Sequence, residues 1–302
     1  MRGDAVIDVE FIVNTLSLGS MYALIALGLV FVYGILKLVN FAYGEYITVA
    51  GYSLFVLGTY TSLPWYVIML LGVFMAAFVS YLTELVAFRP VRTKSLTAMF
   101  VTSFAVSIFL QNLVLLAVSA RARAVPLPAV FNKTVLLFGS TTSMRNILII
   151  AVTIVLLVGL SLLMKYTVLG IAMRAAAEKF TTTRLMGVPA NLVISAAFVI
   201  SGFLAGVVSI FWVGRSASVD PLIGAAPLLI AFIATVLGGM HSLTGAVVGG
   251  YVYGLLFNVL SIMLPSSLIS YRDAFMFVIV ILFLLFRPEG IVRGSYTEER
   301  VG

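Results

Sequence analysis

The residues able to do chemistry are few, and each lies inside or beside an apolar run. Glu45 sits in the segment NFAYGEYITVAGY, with Asn40, Tyr43 and Gly44 within a turn or two of it. A carboxylate in such surroundings is costly to desolvate. It is either an interfacial group satisfied by tyrosine or backbone donors, or it lines a pathway. A helix broken at Gly44 would present free backbone groups to a cavity, as the discontinuous helices of transporters do. Gln111 and Asn112 are neighbours in a second apolar run, and Asn258 stands in a third. Adjacent helical positions point in different directions, so at least one of Gln111 and Asn112 must face protein. Each of the three amides either contacts a solute or joins helices. Glu84 precedes Arg89 by five residues, a spacing that suits an ion pair near the membrane interface. His241, the single histidine, follows Gly238-Gly239-Met240 and reads as a helix end.

None of these groups forms a constellation for breaking bonds. The chain has no cysteine, which excludes disulfides and thiolate metal sites, and one histidine argues against a metal centre. It has no Gly-x-Ser-x-Gly elbow and no His-Glu-x-x-His pair. No lysine follows a glycine, so a Gly-Lys-Ser/Thr phosphate loop is absent. If ATP drives this protein, another chain binds it. The expectation is a protein that is not an enzyme and holds no cofactor or metal of its own.

The elements that must position these residues follow from composition. Of 302 residues 62% are hydrophobic and 10% charged, against about 25% charged in an average soluble domain. Mean hydropathy is +1.19. So apolar a chain needs lipid as its solvent. The net charge of +7 does not indicate nucleic acid, because the basic residues are scattered singly and form no basic face. Apolar runs long enough to be candidate spans lie near 11–36, 40–60, 65–88, 96–118, 146–164, 191–213, 225–240, 245–264 and 272–287. The expected fold is all-α: one polytopic transmembrane helical bundle of about 8–10 spans over residues 1–302. The second run holds Asn40 and Glu45 and is a candidate broken or re-entrant helix. The seventh is short and holds Pro227 with Gly238-Gly239. The first run follows Asp4, Asp8 and Glu10, not a basic segment, and is expected to be a retained span rather than a signal peptide.

With an outside N-terminus, eleven of the 18 basic residues fall in inner loops: Lys37; Arg89, Arg92 and Lys94; Lys165, Arg174, Lys179 and Arg184; Arg287, Arg293 and Arg300. That bias favours a cytoplasmic C-terminus. The loop 119–146, with Arg121, Arg123, Pro126 and Pro128, is then extracytoplasmic. The loop 165–190 is cytoplasmic and contains good helix formers from Ala172 to Lys179, stopped by Gly187 and Pro189. A short helix lying on that face is expected. Glycines at small-xxx-small spacing (202 and 206, 245 and 249, 250 and 254) suit close helix packing.

Several stretches resemble one family. NTLSLGSMYALIALGLVFVYGILKLVNFAYGE at 14–45 is similar to the opening of branched-chain amino-acid ABC transporter permeases of the Liv H type. LGIAMRAAAEKFTTTRLMGVPANLVISAAFVISGFLAGVVS at 169–209, IAFIATVLGGMHSLTGAVVGGYVYG at 230–254 and FRPEGIVRG at 286–294 resemble it as well, in the family's order. One departure stands out. Tyr43 occupies the place before Gly-Glu where relatives commonly have histidine, and tyrosine does not titrate near neutral pH. The resemblance implies an importer of several subunits: a second homologous permease, two ATPase subunits on the cytoplasmic face, and an extracytoplasmic substrate-binding protein. Under it Arg174, Glu178, Lys179, Arg184 and Gly187 belong to the segment that couples to an ATPase. Asn40, Tyr43, Glu45, Gln111, Asn112 and Asn258 are the pathway candidates. The location implied is the inner membrane of a prokaryote, and the substrate a branched-chain or related amino acid. The main rival is a secondary carrier driven by an ion gradient, for which Glu45 is the one serious intramembrane charge. An intramembrane enzyme lacks its nucleophile. A channel gives the charged inner loop no purpose.

Overall fold

The computed structural model describes residues 2–118, 120–137, 140–240 and 242–292; His241, Arg293 and Arg300 lie outside the described residues. Nine long helices occupy the nine apolar runs. They are α1 (Arg2–Leu36), α2 (Tyr43–Tyr60), α3 (Trp65–Thr83), α4 (Leu96–Ala117), α5 (Met144–Tyr166), α8 (Ala190–Ser216), α9 (Ala225–Gly238), α10 (Leu243–Met263) and α11 (Arg272–Phe286). Between α5 and α8 lie two short helices, α6 (Val168–Glu178) and α7 (Phe180–Leu185). Among the described residues seven helical stretches are long and apolar enough to cross a membrane, and α2 and α9 are not among them.

Helix α1 is the axis of the bundle. Its span Val9–Leu36 is 89% buried, whereas the spans of α5 and α11 are 17% and 11% buried. A helix that is apolar all round belongs inside other helices, and its neighbours then turn their outer faces to lipid or to a partner. The expected glycine pairs are where neighbouring helices cross. Gly250 and Gly254 of α10 pack on Ala23 and Gly19 of α1, and Gly245 and Gly249 face Gly238 and Ala234 of α9. Gly202 and Gly206 of α8 meet Ala76, Ser80 and Val73 of α3. In lipid, close backbone approach and interhelical hydrogen bonds do the joining that the hydrophobic effect does in water. Ser80 Oγ accordingly donates to the Phe198 carbonyl (2.6 Å), Ser209 Oγ to the Ile47 carbonyl (2.8 Å), and Asn146 Nδ2 to Asn14 Oδ1 (2.8 Å).

The two long loops lie at opposite ends of α5. The 119–146 loop is irregular with a small hairpin, β2 (Thr134–Leu137) against β3 (Ser140–Ser143). Its β1 (Arg123–Ala124) pairs antiparallel with β4 (Ser218–Val219), just beyond α8. At the other end α6 is amphipathic. Met173 and Ala176 are buried, while Arg174, Ala175 and Glu178 are exposed. Thr167 caps α6 by accepting the Gly170 N–H (3.0 Å). Gly187 ends the α7 turn at φ +86°, a conformation that glycine adopts without strain.

Candidate functional site

Two helices begin inside the bundle. At 14 residues, α9 is about 21 Å long, too short for a hydrocarbon layer of about 30 Å. It runs to the α6–α7 end, where Leu237 and Gly238 carbonyls accept N–H groups of Ile291 (2.9 Å) and Val292 (3.0 Å). Helix α2 runs the other way, bringing Gly58 beside Pro126 of the 119–146 loop. Their N-termini meet in between. A Cβ on Gly44 would stand 2.5 Å from the Gly224 carbonyl oxygen, and one on Gly224 would collide with the Gly44 carbonyl. Only glycine lets the two starts touch. Two positive helix ends therefore converge within the bundle.

Asn40 builds the break before α2. Its Oδ1 accepts the Ala42 N–H (3.1 Å), its carbonyl accepts the Tyr43 N–H (3.1 Å), and its Nδ2 donates to Tyr46 Oη (3.2 Å). Such an asparagine turn offers the backbone an alternative to helix, which is why α1 stops at Leu36 and α2 starts at Tyr43. Tyr43 itself is fully buried, and its ring lies against Gly28 of α1. Among the described residues its hydroxyl has no hydrogen-bond partner.

Glu45 is 3% exposed. Its Oε1 accepts from Ser107 Oγ (3.1 Å) and Gln111 Nε2 (3.1 Å), both on α4, while its Oε2 is buried without a hydrogen-bond partner among the described residues. Ser107 and Gln111 lie one turn apart on one face, about 16 and 22 Å along α4. The carboxylate is therefore well inside the membrane rather than at its surface. Phe41 stacks on Phe104 (4.1 Å between centroids), one turn nearer the start of α4 than Ser107. The other two amides do different work. Asn112 is exposed and its Nδ2 bonds only the Ile108 carbonyl of its own helix (2.7 Å). Asn258 joins α10 to α1 through Thr15 Oγ1 (2.6 Å) and the Phe11 carbonyl (3.2 Å).

The Glu84–Arg89 pair expected from spacing is present and larger than expected. Residues Glu84–Phe88 form a π-helical segment after α3, closed by the Arg89 N–H on the Glu84 carbonyl (2.8 Å). This extra residue in the turn aims Glu84 at α8. Its fully buried carboxylate accepts from Arg89 Nη2 (3.1 Å), Arg92 Nη1 (3.5 Å) and Ser195 Oγ (2.7 Å), and Arg92 also bonds Asn191. Burial lowers the Arg92 pKa, with Glu84 opposing; the hydrogen bond that Arg89 donates to Glu84 raises that of Arg89. Next to this cluster a cavity of about 720 Å³ opens between Arg92, Met99, Arg184 and Asn191. Arg174 borders a second, apolar cavity with Lys165, Phe31 and Met164. Arg174, Glu178, Lys179 and Arg184 are all exposed, and none of their side chains forms an ion pair among the described residues. Ser107, Ser195 and Asn191 were not singled out in the sequence. Only Ser107 left a trace there, as a hydroxyl four residues before Gln111 in an otherwise apolar face.

A polytopic bundle with two half-helices meeting at an internal carboxylate, and no bond-breaking constellation among the described residues, is the architecture of a membrane transport subunit. The family described as branched-chain amino acid transport system / permease component matches residues 11–285. The chain belongs to that family. It is 36% identical over 303 residues to the high-affinity branched-chain amino acid transport system permease protein BraD of Pseudomonas aeruginosa, covering 95% of this chain and 96% of that one. It is 33% identical to LivH of Salmonella typhimurium and 32% identical to LivH of Escherichia coli K12, each with the same coverage. No solved structure matches the chain significantly. It is thus a multi-pass permease subunit of a prokaryotic plasma membrane and not an enzyme, and the ion-coupled carrier gives way.

Proposed function

We propose that this chain forms half of the translocation pathway of an ATP-driven importer for branched-chain or related amino acids. A second, homologous permease subunit supplies the other half. Two ATPase subunits dock on the α6–α7 face and bind the ATP, so this chain needs no cofactor. A soluble binding protein delivers substrate at the 119–146 end, which is the extracytoplasmic one. The peripheral helices face lipid.

The observation that carries this reading is the α6–α7 segment: an amphipathic helix anchored by Met173 and Ala176, presenting Arg174, Glu178, Lys179 and Arg184 outward with no ion-pair partner among the described residues. The family resemblance and the relatives' names supply the substrate class. ATP shifts the transporter only through the difference in its affinity for two arrangements of the ATPase pair. Rigid α6 passes that shift to α5 and α8, while the half-helices α2 and α9, with Asn40, Glu45 and Gln111, line the alternating pathway. The test is the double variant R174A/E178A. ATP-dependent leucine uptake in proteoliposomes should fall to near background, while the ATPase and partner permease still co-purify with the chain. Full uptake by that variant rejects the assignment of this face.

A further inference from the structure

The molecule carries another cavity, away from Glu45 and from α6. It has a volume of about 390 Å³ and lies where α8 ends and α9 and α11 begin, near the 119–146 end of the bundle. Its charged residues are Arg215 of α8 with Arg272 and Asp273 of α11. Its deeper wall is apolar and aromatic, with Tyr22 standing edge-on to Tyr253 (5.1 Å between centroids).

We infer that this cavity is a binding site for a zwitterionic amino acid with an apolar side chain. The charges are arranged for one. The Arg272 guanidinium is held in place, stacked 3.7 Å over the Phe257 ring and donating to Ser261 Oγ (2.9 Å). Its Nε is buried without a hydrogen-bond partner among the described residues. The nearest acid, Asp273, is 3.9 Å from that nitrogen, and its side chain is 73% exposed. Arg215 makes no hydrogen bond or ion pair among the described residues. The exposed Arg215 is free to donate to a carboxylate, Arg272 adds positive charge to the same wall, and the exposed Asp273 carboxylate suits one ammonium. A free amino acid carries both groups on one carbon. Its side chain would then lie on Tyr22 and Tyr253, where apolar surface leaves water. A purely anionic ligand would meet Asp273 as a like charge, and a purely cationic one would meet two arginines.

The site lies on the route that the proposed function requires. Ala226 in its wall is two residues from Gly224, where α9 meets α2. A solute released at the 119–146 end would reach Arg215 and Arg272 before reaching Glu45. The role as a way-station rests on the importer reading; the binding of the amino acid does not.

The chain reports on this cavity directly. Of its two tryptophans, Trp212 borders the cavity and Trp65 begins α3. In the W65F background, the full chain in phosphatidylcholine nanodiscs should show a saturable change in Trp212 fluorescence with L-leucine. R215Q and D273N should each weaken that binding about tenfold or more, since each removes one charge-assisted hydrogen bond. 4-Methylpentanoate and isoamylamine, each keeping one charge of the zwitterion, should fail at concentrations where leucine saturates. No saturable change with leucine at millimolar concentration overturns the site. So does a response that follows exchange of phosphatidylcholine for phosphatidylglycerol but not leucine, which would make the cavity a lipid headgroup site. Failure here alongside intact ATP-dependent uptake by the complex removes this site and leaves the importer standing. Leucine binding without ATP-dependent uptake does the reverse.

Discussion

Glu84 and Glu45 are both buried carboxylates in apolar helices, and the protein treats them in opposite ways. Glu84 sits on the α3–α8 seam with two arginines and a serine converging on both of its oxygens. Glu45 sits on the α2–α4 seam with neutral donors on one oxygen, the Thr48 hydroxyl close by, and no hydrogen-bond partner on the other oxygen among the described residues. The first arrangement fixes two helices and the following turn in one geometry. The second leaves an acceptor unused beside the meeting point of two helix starts. A carboxylate locked by two cations has no capacity left for a solute, whereas one with a spare oxygen has. The α3–α8 seam is fixed by charge, and the α2–α4 seam is the one that the proposed function needs to respond.

Replacing Glu84 by alanine should have the largest effect of the changes that break this comparison. It leaves Arg92, whose side chain is 16% exposed, without its counter-charge, and Ser195 without its acceptor. Breaking a buried pair from one side costs about 3 kcal/mol or more. The expected outcome is a clear fall in the melting temperature of the detergent-solubilised chain, with poor membrane accumulation. An unchanged melting temperature would mean that the cluster is ornamental to folding.

Glu45→Gln separates folding from transport. The amide oxygen can still accept from Ser107 and Gln111, so stability should change by no more than about 1 kcal/mol. The amide carries no charge and brings two N–H groups to the place of the spare oxygen. Uptake should therefore fall steeply while the melting temperature holds. If uptake survives, Glu45 is a helix joiner like Asn258 and the contrast with Glu84 collapses.

The sequence made some of this visible and hid the rest for a physical reason. The nine apolar runs became nine helices because span length and hydropathy are local properties. The break before α2 was legible because Asn40, Gly44 and Glu45 interrupt an apolar pattern within six positions. The half-helix pair was only half legible. Gly224 lies 180 residues from Gly44, and no periodicity links the start of α9 to the start of α2. For the same reason Glu84 foretold Arg89, five residues on, but not Ser195 across the seam. Arg215 and Arg272 are two of the seven basic residues outside the inner loops, and nothing in the sequence joins them, since their shared cavity depends on how α8, α9 and α11 pack.

The smallest expected effect sharpens the comparison at its edge, where Gln111 and Asn112 are adjacent and of like chemistry. Gln111 reaches Glu45, whereas Asn112 is exposed and bonds only its own helix. Gln111→Leu strips Glu45 of one of two donors, a cost of about 1 kcal/mol, and should lower uptake in the same direction as Glu45→Gln. Asn112→Leu removes a hydrogen bond that holds no second helix and places an apolar side chain on a face open to lipid or to a partner. Melting temperature and uptake should both stay near wild type. If Asn112→Leu instead abolishes co-purification of the second permease, that face of α4 is the subunit seam, and Glu45 lies one helix behind the interface rather than within a single chain's interior.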